Sequence, residues 1–167
     1  MRGDRRPALI IATVMLTGLC LATFAAAQTA NPPPAAYRPG LGDLMTMTVQ
    51  PRHEKLAIAG QEKNWTYANY EAHELQEAFE RAARVWPQWR QISIAEMMDA
   101  VIKGPLAELQ QAIKARDAAR YAAAYDELTG ACNACHQGAG RGFVVIQVPT
   151  GAMFPDQDFR PQNTPQP

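Results

Sequence analysis

The residues best suited to chemistry lie in one short run, Thr129-Gly130-Ala131-Cys132-Asn133-Ala134-Cys135-His136. Two thiols three positions apart, with an imidazole directly after the second, have the spacing of covalent c-type haem attachment. The chemistry sets that spacing: two sulfurs must reach the two vinyl groups on one porphyrin edge while an imidazole comes up beneath the iron. On a helix, Cys132 and His136 are one turn apart and Cys135 immediately precedes the histidine. His136 is then the proximal axial ligand, and its second ring nitrogen needs a hydrogen-bond partner that the sequence does not name. Other uses of the pair fit less well. A thioredoxin-like redox pair requires a βαβ surrounding, whereas alanine-rich helix precedes this one. A structural zinc site needs four ligands. His53 and His73 have no zinc-finger spacing to the cysteines. One covalently bound haem c is the expected cofactor.

The start of the chain agrees with that chemistry, because covalent haem is added outside the cytoplasm. Arg2, Arg5 and Arg6 precede an apolar run from Ala8 to Ala27 that closes on Ala25-Ala26-Ala27. This is the pattern of a secretory signal over residues 1–27, which predicts a periplasmic protein. The run is also long enough to serve as an uncleaved anchor, the one route by which the chain would stay on a membrane. A lipoprotein at Cys20 is a poorer fit, since bulky Leu19 stands where a small residue is expected. Removing the signal takes away three arginines and one aspartate, so 16 basic and 16 acidic residues become 13 and 15. Such a weak acidic balance argues against nucleic acid as a partner. Cys20 also leaves, and a single close pair of cysteines is no disulfide framework.

The elements that must position the motif read as helices. Residues 28–40 form a proline-rich leading segment with little capacity for regular structure. In the first helix, about 41–59, Leu41, Met45, Val49, Leu56 and Ala59 share one stripe, and Pro51 should kink it or end its first half. Asn64 caps the second, where Trp65, Ala68, Ala72, Leu75, Phe79 and Ala82 step by three and four. Trp86 and Trp89 flank a proline loop that closes one end. Ser93 and Glu96 have capping-box spacing at the start of the third helix, whose apolar candidates include Met97 and Met98, and Gly104-Pro105 should kink it. Asp117 caps the fourth, in which Tyr121, Tyr125, Leu128, Cys132 and Cys135 continue the same steps until Gly138 and Gly140 stop it. The predicted fold is all-α, an antiparallel four-helix bundle over 41–138. An extended flap over 139–159 should lie across the bundle end, followed by a disordered tail over 160–167.

A bundle of four helices with C-x-x-C-H inside the last one resembles the class II c-type cytochromes, the group that includes cytochrome c′. The runs LGDLMTMTVQPRHEKL, NWTYANYEAHEL and LTGACNACH are also similar to a set of small exported proteobacterial proteins described only as cytochrome c-like. The resemblance covers about residues 41–138. One departure is that 31 residues follow His136, whereas class II chains usually end soon after the motif. The resemblance implies that the first helix faces the iron opposite His136. Family members either leave that position open and bind small gases or fill it, usually with a methionine, and transfer electrons.

At about 100° per residue, Met45 falls at the centre of the stripe on the first helix, Met47 points roughly 200° away, and His53 lies near its edge. Met45 is therefore the first candidate for the sixth ligand and His53 the alternative; an open site, Met47, His73 and Met153 follow. Arg52 and Arg141 are candidate counter-charges for the haem propionates, and His73 reads as solvated. The expected function is electron transfer between unidentified redox partner proteins, with a five-coordinate protein binding nitric oxide or carbon monoxide as the alternative. No acid and base pair marks a substrate pocket, so no enzyme is expected. The resemblance also makes a homodimer possible.

Overall fold

The computed structural model describes residues 37–151 and 153–162. The expected signal over 1–27, the leading segment over 28–36 and the tail over 163–167 lie outside the described residues.

The described chain is mostly helical, with one small two-stranded sheet. Helix α1, Leu41–Leu44, passes through a π-helical turn, Met45–Val49, directly into α2, Gln50–Gln61. Pro51 stands in the first turn of α2, and the kink expected there is absorbed by the π turn, in which Gln50 N–H bonds the Met45 carbonyl. The wider turn relieves the pressure of the proline ring on the carbonyl of the preceding turn. It also shifts the buried stripe, so that Leu44 and Val49, five residues apart, are both buried. Met45 is only half-buried, not the centre of the face as uniform helical spacing has it.

Helix α3, Trp65–Val85, is capped by the Asn64 side chain, which accepts from Tyr67 N–H at 3.1 Å. Its expected seam is real: Ala68, Ala72, Leu75, Phe79 and Ala82 are buried. After Pro87 the chain makes a ribbon that the sequence did not announce, β1 Gln88–Trp89 paired antiparallel with β2 Ile92–Ser93. Ser93 accepts from Glu96 N–H and starts α4, Ile94–Val101. A break at Ile102, just before Gly104-Pro105, replaces the expected kink and leaves Pro105 in the first turn of α5, Lys103–Ala115. There its missing donor costs nothing. Helix α6, Ala118–Gly138, is capped by Asp117, which accepts from Ala119 and Arg120 N–H.

Leu56, Leu75, Leu109 and Leu128, one from each of α2, α3, α5 and α6, are each 0% exposed and meet in one core. Burial of each contributes roughly 2 kcal/mol. Beyond α6 the chain has no strand among the described residues, so the Phe143 to Val148 flap is irregular. It continues along the helices: Gln61 donates to the Pro149 carbonyl, and Asn64 donates to the carbonyls of Phe159 and Arg160. Phe159 is buried beside Tyr67. Arg160, at the start of the tail expected to be disordered, is thus tied to the α2–α3 turn. No helix among the described residues is long and apolar enough to cross a membrane.

Candidate functional site

The last two turns of α6 carry Cys132, Cys135 and His136. Both thiols are unbridged and half-buried. Burial pushes the Cys132 thiol up to about 12, with the neighbouring Cys135 adding to the shift, and burial raises Cys135 as well. Both sulfurs are therefore protonated at neutral pH, the opposite of what a reactive redox thiolate requires. Cys135 Sγ lies 3.1 Å from Met97 Sδ on α4. Periodicity assigns Met97 only to an apolar face; the two residues are 38 positions apart, and no local spacing signals their contact.

The helix stops in a way that shapes the site. Gly140 takes a left-handed φ of 66°, Gly140 N–H bonds the Gln137 carbonyl, and Arg141 N–H bonds the His136 carbonyl. This paired closure satisfies the terminal carbonyls and reverses the chain. The reversed segment brings the Val144 carbonyl to 2.8 Å from His136 Nδ1. A carbonyl only accepts, so Nδ1 carries a proton, and in the neutral imidazole the lone pair lies on Nε2. The partner that the sequence could not name is thus a backbone group eight residues later.

His53 has a different setting. It is 5% exposed, between α2 and α6, with Nε2 3.1 Å from Thr129 Oγ1 and Nδ1 3.0 Å from Tyr125 Oη. Thr129 donates its own proton to the Tyr125 carbonyl, so its oxygen accepts from His53 Nε2–H. The Tyr125 hydroxyl is shared between His53 Nδ1 and the His53 carbonyl. Desolvation lowers the His53 pKa to about 4. Both ring nitrogens are engaged in the core.

The other expected residues are dispersed. Met45 packs half-buried against the core cluster that Cys132 also joins. Met47 and Met153 are each 74% exposed, and exposed His73 faces Glu77 at 3.4 Å. Arg52 pairs with Glu71 and Glu74, both at 3.2 Å, so its charge is already answered by carboxylates. Arg141 lies over the Trp89 ring at 5.0 Å and near the Phe143 ring, and it belongs to none of the ion pairs among the described residues.

The donor set is of the type that covalent haem attachment would use. Two unbridged thiols and an imidazole whose Nδ1 is engaged by a carbonyl stand on one helix end. Met45, Met98, Val101 and Ala131, apolar and incompletely covered, pack with Cys132 against the core. Among the described residues no group of three or more His, Cys, Asp or Glu could hold a metal ion directly. No family model, no curated protein and no solved structure matches the chain.

Proposed function

We propose that the protein is an exported monohaem c-type cytochrome on an antiparallel four-helix bundle, carrying single electrons between redox partner proteins in the periplasm. The observation that carries this reading is the state of His136: its Nδ1–H is tied to the Val144 carbonyl, which leaves Nε2 as a donor beside two unbridged thiols. Support for the bundle comes from the four helices that share the leucine core. Cys132 and Cys135 would hold the haem through thioethers, His136 would bind one side of the iron, and Arg141 would face a propionate. The haem supplies reversible cycling of iron between ferric and ferrous states. What the chain contributes is a hydrogen-bonded end of α6 that would keep its donor in one orientation.

Met45 is the proposed sixth ligand. His53 is a poorer one, because engaging the iron would break its bond to Thr129 and leave buried polar groups unpaired. The same fact favours the second reading, a five-coordinate protein that binds nitric oxide or carbon monoxide: of the donors on the first helical run, His53 is engaged and Met47 is exposed.

The test is expression in a host equipped for periplasmic haem ligation. The expected result is a coloured protein that keeps its haem through denaturing electrophoresis and loses it when both cysteines are changed to serine. Colourless protein, or one holding zinc at the thiols, defeats the proposal. Carbon monoxide then separates the two readings: an unaltered low-spin reduced spectrum favours transfer, and a shifted high-spin spectrum favours gas binding.

A further inference from the structure

Asn133 occupies a position between the cysteines at which the attachment chemistry makes no demand on the side chain. Its amide nevertheless forms a reciprocal pair with the backbone of Ile146: Nδ2 donates to the Ile146 carbonyl at 2.9 Å, and Oδ1 accepts from Ile146 N–H at 2.7 Å. The opposite amide rotamer would set donor against donor, so the pairing defines its own orientation. Two residues earlier, the Val144 carbonyl meets His136 Nδ1. Val144 N–H in turn bonds the Arg141 carbonyl, and Arg141 N–H bonds the His136 carbonyl. The loop from 141 to 146 is therefore anchored to one helical turn at both ends, by backbone at Arg141 and by a side chain at Asn133.

Burial does not hold this loop in place. Phe143 is 77% and Val145 64% exposed. With little apolar area covered, hydrogen bonds must offset the entropy of ordering the segment. A lone bond from His136 to a solvent-accessible carbonyl would otherwise exchange readily with water.

We propose that Asn133 is a positioning residue for His136: its two bonds to Ile146 hold the Val144 carbonyl against Nδ1, which fixes the Nδ1–H tautomer and the orientation of the ring. The functional meaning of this role rests on the reading of His136 as an iron ligand, while the hydrogen-bond linkage does not. Donation from Nδ1 to a carbonyl raises the basicity of Nε2, so the clamp would favour the ferric state and lower the reduction potential.

The experiment compares the full chain with Asn133→Ala and Asn133→Asp, each with and without haem. Three quantities are read: amide hydrogen exchange at Ile146, the 15N shifts of the His136 ring, and the midpoint potential of the loaded protein. In Asn133→Ala the Ile146 amide should exchange roughly tenfold faster or more, the ring shifts should move toward tautomer-averaged values, and the potential should rise with haem still attached. Asn133→Asp keeps the acceptor for Ile146 N–H and should show a smaller acceleration. Unchanged exchange and unchanged ring shifts in Asn133→Ala overturn the inference, even in a protein that carries haem. If the wild-type chain takes up no haem while the unloaded variants show these changes, the proposed function fails and the positioning role stands.

Discussion

His53 makes the stability of the protein depend on pH in a way that one substitution isolates. Its imidazole is 5% exposed and desolvation lowers its pKa from 6.5 to about 4. The folded state therefore keeps the ring neutral in a range where the unfolded chain protonates it. Because the folded pKa is depressed, the contribution of this group is fully present above pH 6.5 and is lost as pH falls toward 4. At about 1.4 kcal/mol per pKa unit the full loss is about 3 kcal/mol, of which about 2 kcal/mol is gone by pH 5. His53→Gln keeps an amide donor for Thr129 and removes the titration. Urea unfolding of the two proteins at pH 7 and pH 5 gives the comparison, with the difference between proteins cancelling the other titrating groups. The wild type should lose about 2 kcal/mol more than the variant over that interval, about 1 M in midpoint at an m value near 2 kcal/mol/M. Parallel losses in the two proteins would refute the placement of a neutral, desolvated imidazole between α2 and α6.

Gly60→Ala places a Cβ 2.0 Å from Tyr121 Cε1, against a ring that is 4% exposed and donates to the Leu56 carbonyl. The clash should cost about 3 kcal/mol despite the better helix propensity of alanine, read as a lowered thermal midpoint; a midpoint at or above wild type would contradict it. Arg52→Met removes the cation beside Glu71, which is 0% exposed. A loss of about 3 kcal/mol is expected in chemical unfolding, with much of it recovered when Glu71→Gln is added. Met45→Ala in the haem-loaded protein should convert a low-spin spectrum to a high-spin one that responds to carbon monoxide; an unchanged low-spin spectrum moves the sixth ligand elsewhere.

Local patterns carried much of the helical layout. The seam of α3, the caps at Asn64 and Asp117, and the stop at Gly138 each depend on residues within one or two turns, and each is present. The π turn was hidden, because its cause, a proline accommodated without breaking the helix, is settled by packing rather than by spacing. The ribbon at Trp89 and Ile92 is two residues per strand, too short for alternation to show. At the site, the order of Cys132, Cys135 and His136 was plain, while their partners were not: Met97 and Val144 come from other parts of the fold, and His53 meets Thr129 across 76 positions. Contacts of that kind leave no periodic trace. Arg52, read as a counter-charge for an external group, finds its partners on α3 because Glu71 and Glu74 present their carboxylates one turn apart.

The contacts around α6 divide the task of supporting its end. On the side toward the core, Tyr125 and Thr129 bind His53 and so fix α6 against α2 one turn before Cys132. On the outer side, Asn133 and His136 bind the returning loop at Ile146 and Val144. The helix end that carries the thiols is thereby held by polar groups on both faces, in addition to the apolar packing of Ala131 and Cys132. Polar contacts have directional geometry, so they restrain the rotation of α6 about its own axis more closely than core packing alone does. Under the proposed function, His136 as an iron ligand would gain from that restraint, because less of the surroundings would reorganise at each electron transfer. Val144 and Ile146, in the chain beyond the motif, thus contact the same helical turn that carries the thiols and His136.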